Sequence, residues 1–158
     1  MDELTEIIIR VSNLRGQVIS RVSTVEMLMN IFLVRYFCEQ KDKERDLLET
    51  VFATNKITYD SKRDIICALL KKDRFSKFAH KKQLNDDLQT IGEDRNVFAH
   101  YIINNTDDGL GLFRKGLISF IKFKNYSQPK NYTEDDLKVL EEKLNRAPVT
   151  LQELIDMH

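Results

Sequence analysis

The sequence predicts an all-α helical bundle with one small β-hairpin before its C-terminal helices, on three observations. Glycine and proline are scarce, 5 and 2 among 158 residues, too few for the turns of an all-β fold. Apolar residues recur at spacings of three and four along most of the chain, the period of a helix with one buried face. Only the stretch from Gly109 to Phe123 clusters glycines with strand-forming residues. A chain of this length is most simply one domain, 1–158, able to bury a core of its own.

Residues 3–39 read as one long helix, or as two abutting ones with Asn13 to Gly16 as the weak point. Val18, Val22, Val25, Met29, Phe32 and Tyr36 form its apolar stripe. From Val25 onward the helix is apolar nearly all round, which places it at the centre of the bundle. The run from Val25 to Cys38 is broken by Glu26, Asn30 and Arg35 and is too short to span a bilayer, so no membrane association is expected. Lys41 to Asn55 gives a second helix. Asp60 or Ser61 caps a third that runs to Lys72 and carries Ile65, Ile66, Leu69 and Leu70.

A short helical piece from Phe75 to His80 leads into a helix from about Lys82 to Ile103. Leu110 to Phe113 and Leu117 to Phe123, flanking Arg114-Lys115-Gly116, read as the two strands of the hairpin. Thr133 then caps a helix from Glu134 to about Asn145, with Asp136 as the reciprocal partner of a capping box. Pro148 closes a linker, and Thr150 caps the last helix.

Equal numbers of acidic and basic residues, 25 each, exclude a uniformly basic surface, yet the charge is uneven. Lys71, Lys72, Arg74, Lys77, Lys81 and Lys82 face a single Asp in that stretch and are candidates for steering RNA phosphates. Cys38 and Cys67 form neither a CxxC pair nor a disulfide pattern, so they read as packing residues in a reducing cytoplasm. Met1-Asp2-Glu3 opens acidic, unlike a signal peptide. Histidines 80, 100 and 158 lack metal-ligand spacing, and no metal or cofactor is expected. Without a glycine-rich phosphate loop, a carboxylate pair or a Ser-His-Asp signature, kinase, dehydrogenase and serine-hydrolase readings have no support.

The informative stretch is Arg95-Asn96-Val97-Phe98-Ala99-His100. Leu84, Leu88, Ile91, Arg95, Phe98 and Ile102 form a seam with one arginine in it, and a guanidinium there needs a carboxylate, a phosphate or water to face. At roughly 100° per residue Asn96 and His100 lie side by side, with Arg95 about 140° from His100. Ala99 and Gly92 lie between them, leaving a shallow gap. Such an arc suits attack of an RNA 2′-hydroxyl on the neighbouring phosphorus. Histidine moves protons near neutral pH, arginine presents a fork to phosphate oxygens, and Asn96 orients the imidazole or binds the phosphate. One histidine cannot easily serve as both acid and base, so two chains meeting across this face are expected. Glu26 and Asn30, on a polar line with Ser23, are candidate supports for Arg95 or His100. Arg74 and His80 repeat the Arg-to-His spacing without a seam around them, a chance match.

Arg95-Asn96-x-x-Ala99-His100 resembles the signature of the HEPN superfamily: arginine, a polar residue, then histidine after four to six intervening positions. The resemblance covers most of the chain. It implies a HEPN-like helical domain that dimerises, so that two motifs form one metal-independent endoribonuclease site. By position the implied functional residues are Arg95, Asn96 and His100. It further implies a toxin or phage-defence (abortive-infection) role, with RNA as substrate and an antitoxin or regulatory protein as possible partner. Where some toxin members carry a tyrosine two residues after the histidine, this chain has Ile102, and its tyrosine is Tyr101. The alternative is a catalytically inactive HEPN module that binds RNA or a partner protein.

Overall fold

Helix α1 runs unbroken from Glu3 to Phe37, through Gly16, in a computed structural model that describes residues 2–54, 56–122 and 125–157. Of the residues named above, Met1, Asn55, Phe123 and His158 lie outside these. The fold is mostly helical with a small antiparallel sheet. After α1 come α2 (Lys41–Leu47), a π-helical segment Leu48–Phe52, α3 (Tyr59–Leu69) and a 3₁₀ turn Asp73–Phe75. Then follow α4 (Lys81–His100), β1 (Ile102–Ile103), α5 (Asp107–Arg114), β2 (Ile118–Lys122), β3 (Asn125–Tyr132) and α6 (Glu134–Asp156).

The chain divides into two compact units. The first holds the chain up to Arg21 and Glu93–Glu142; the second holds Val22–Gly92 and the chain from Lys143 onward. In the first unit, β2 is the central strand of three. Ile102 and Ile103 pair with Ile121 and Phe120, while Ile118, Ser119 and Phe120 pair with Tyr132, Asn131 and Lys130. Pro129, which has no N–H to give a ladder, lies in the edge strand β3. Phe98 of α4 sits 5.2 Å from both Phe120 and Tyr132, ring centre to ring centre, and fastens the end of α4 to the sheet.

In the second unit Met29, Phe32 and Leu33 of α1 are fully buried, as are Ile66 of α3, Leu84, Leu88 and Ile91 of α4, and Leu151 and Leu154 of α6. Two charges are buried there with partners. Lys62 Nζ donates to Glu26 at 2.7 Å, and Arg146 donates twice, at 2.8 Å, to the Asp87 carboxylate. Helix α1 is long and apolar enough to cross a membrane by length and composition, with nearly half of that window buried within the fold.

Several elements differ from the sequence expectation, each for a local reason. Residues 110–113 are helical, not a strand, because Thr106 caps α5 by accepting from the Gly109 N–H, and Asp107 and Asp108 complement its first turn. A Cβ at Gly109 would collide with the Asn104 carbonyl, so that glycine serves close packing. Gly116, at φ +83°, ends α5 with Leu117 N–H on the Leu112 carbonyl and Gly116 N–H on the Phe113 carbonyl. Strand β2 pairs with β1 and β3 instead of with 110–113. Helix α3 is capped two residues earlier than expected, by Thr58, whose hydroxyl accepts from Ser61 N–H, and it ends at Leu69. α2 ends at Leu47 and passes into the π segment. The helical piece before α4 is the turn Asp73–Phe75, and α4 ends at His100, where β1 pairing takes over.

Helix α6 is continuous through Pro148. Thr150 is no cap: it is buried mid-helix and its hydroxyl donates to the Arg146 carbonyl. The Thr133–Asp136 capping box is present as expected, Thr133 N–H donating to Asp136 at 2.9 Å and Asp136 N–H to Thr133 at 3.1 Å.

Candidate functional site

The last two turns of α4 are held from one side and open on the other. Val97 and Phe98 are buried, while Asn96, Ala99 and His100 are exposed and Arg95 is half-buried. The helix period alone produces this split: the inward anchors turn 96, 99 and 100 to solvent. Arg95 Nη1 donates a long bond to Asn96 Oδ1 at 3.4 Å. Among the described residues no carboxylate lies within ion-pair distance of Arg95. The structure therefore brings Arg95, Asn96 and His100 onto one accessible surface with an uncompensated guanidinium.

Neighbouring groups fix this end of the helix. Asp94, beside Arg95, is buried and accepts from the Tyr132 hydroxyl at 2.7 Å. Burial, followed by that hydrogen bond and the Asp94 charge, drives the Tyr132 hydroxyl far above the usual phenol range, so it stays a donor. Arg15 Nη2 donates to the Tyr101 carbonyl, one residue beyond His100, with the guanidinium 5.1 Å from the centre of the Phe120 ring. Burial pulls the Arg15 guanidinium below its ordinary value. Sequence reasoning missed Arg15 and Tyr132, whose sole signal is tertiary contact.

Not every expected member joins the site. A Cβ on Gly92 would stand 2.7 Å from Tyr59 Cε1, so Gly92 is covered by that ring and is not an open position. Tyr59 itself is held by a bond from its hydroxyl to the Leu88 carbonyl at 3.0 Å. Glu26 is engaged by Lys62, and Asn30 is buried with its Oδ1 unpartnered; neither bonds Arg95 or His100. Arg74 stacks on Tyr36 and Phe75, 5.3 and 5.4 Å from their ring centres, and sits in the 3₁₀ turn, off the helix that follows His80.

The basic run splits in the same way. Lys71, Lys81 and Lys82 line one open groove of about 350 Å³, whereas Lys72 and Lys77 are exposed outside it. Among the described residues no group of three or more His, Cys, Asp or Glu is placed to hold a metal ion. Compared with family models, curated proteins and solved structures, the chain matches none.

Proposed function

We propose that the chain is a HEPN-type endoribonuclease that cuts RNA by 2′-hydroxyl attack across a dimer of the α4 face. The observation that carries this reading is the surface of half-buried Arg95 and exposed Asn96 and His100, whose guanidinium no carboxylate among the described residues neutralises. A half-buried cation without an anion is a standing site for phosphate. In an isologous pair each subunit supplies one copy of the motif. One His100 imidazole takes the 2′-hydroxyl proton as O2′ bonds to phosphorus. Arg95 of either copy stabilises the negative charge on the five-coordinate phosphorus. The P–O5′ bond then breaks, and the other His100, protonated, gives its proton to O5′. The products are a 2′,3′-cyclic phosphate and a 5′-hydroxyl.

The test is incubation of the purified chain with total RNA and with tRNA, followed by end-group analysis. Arg95→Ala and His100→Ala are each expected to lower cleavage by about 10³-fold or more with the helical circular-dichroism spectrum intact. EDTA is expected to leave cleavage unchanged, and sedimentation to give a dimer. Cleavage retained by both variants, or lost in EDTA, would defeat the mechanism.

A further inference from the structure

The groove at the start of α4 belongs to the second unit, whereas Arg95 and His100 belong to the first. It is lined by Lys71, Lys81, Lys82 and Asn85 with the half-buried Cys67 and the buried Leu70, and no carboxylate among the described residues lines it. None of the three lysines has a carboxylate within ion-pair distance among the described residues. Cys67 Sγ donates to Asn85 Oδ1 at 2.8 Å, and burial pushes that thiol up, so it remains protonated. The charged lining of the groove is therefore the three lysine ammonium groups, all donors.

A neighbouring groove of about 470 Å³ shares Lys82 and shows the contrast. There Arg146 is satisfied by Asp87, Lys143 Nζ donates to Thr90 at 2.8 Å, and Asp86 adds negative charge. That groove is compensated within the protein; the first is not. Its volume falls within the range of ligand sites, with room for about one nucleotide.

We propose that the Lys71–Lys81–Lys82 groove binds single-stranded RNA, seating a backbone phosphate on the lysine ammonium groups with a base against the half-buried Cys67 and the apolar lysine stems. This rests on the nuclease reading for the choice of polyanion, and it separates a strand-holding site from the motif that cuts. Single strands fit because the lysine stems and Cys67 offer an apolar surface to an unpaired base, which a duplex does not present.

The experiment uses the whole chain and a fluorescein-labelled 2′-O-methyl oligouridylate, which 2′-hydroxyl attack cannot cut. Anisotropy titrations are run across a salt series. The triple variant Lys71→Gln, Lys81→Gln, Lys82→Gln is expected to weaken binding about tenfold or more at about 0.1 M salt. At about 0.7 per lost contact on a single strand, the slope of log affinity against log salt should shrink by about 2. Lys143→Gln should bind like the parent. Parental affinity and slope in the triple variant, equal weakening by Lys143→Gln, or no binding by the parent would each overturn the proposal. So would full displacement of the strand by millimolar inorganic phosphate, which marks a free-anion site. Cleavage of ordinary RNA by the same chain is a separate measurement. Binding without cleavage sinks the α4 motif, and cleavage without the binding loss sinks the groove.

Discussion

Arg95 and Tyr132 show how single side chains acquire meaning from what surrounds them. The half-buried guanidinium has a long bond to Asn96 and, among the described residues, no carboxylate within ion-pair distance. The Tyr132 phenol is the opposite case, sealed against Asp94 and kept protonated by burial and by that acceptor. Its raised folded-state value gives the sign of a pH effect. The unfolded tyrosine ionises above about pH 10 while the folded one does not, so the stability it contributes is whole below that pH and is lost as pH rises further. Thermal melts between about pH 9 and 11 should therefore fall for the wild type and fall less for Tyr132→Phe. Near neutral pH the same variant should be less stable by about 1–3 kcal/mol, because the buried Tyr132–Asp94 hydrogen bond is lost. A Tyr132→Phe chain with the wild-type alkaline decline would contradict this account.

Between elements, the Lys62–Glu26 pair clasps α3 to α1, with the Lys62 side chain 2% exposed and that of Glu26 26%. Removing the acid leaves an ammonium sealed without an anion. Glu26→Gln should lower the free energy of urea unfolding by about 2–3 kcal/mol, while the double variant Glu26→Leu, Lys62→Met should return to within about 1 kcal/mol of wild type. A double variant as weak as the single one would show that packing, not charge, is at stake. This pair was invisible in the sequence, where Glu26 read as a support for Arg95, because only tertiary packing brings position 62 to it. The α1 stripe and the outward arc of Arg95, Asn96 and His100 were legible, since both follow from helical spacing alone. Residues 110–113 were misread because Leu-Gly-Leu-Phe has strand-like composition, although Thr106-Asp107-Asp108 already held a cap and its acids. The break expected at Pro148 ignored a visible signal: Leu140, Leu144, Ala147, Leu151 and Leu154 keep the four–three spacing straight through it.

For the whole molecule, the two units are interleaved in sequence. Their borders fall inside α1, α4 and α6, after Arg21, Gly92 and Glu142. A chain stopped after Glu142 lacks Arg146, Leu151 and Leu154, so Asp87 is left without its partner and the second core loses one wall. In hydrogen exchange such a chain should protect the amides of β2 while those in the first half of α4 exchange rapidly. Uniform protection would argue that the second unit closes without its C-terminal helix turns. On the ribosome the same order is unavoidable: every residue of the unit bearing the proposed nuclease motif is synthesised before the other can be completed. While residues 143–158 are still being added, the surface proposed to cut would already be complete and the groove proposed to hold the strand would not.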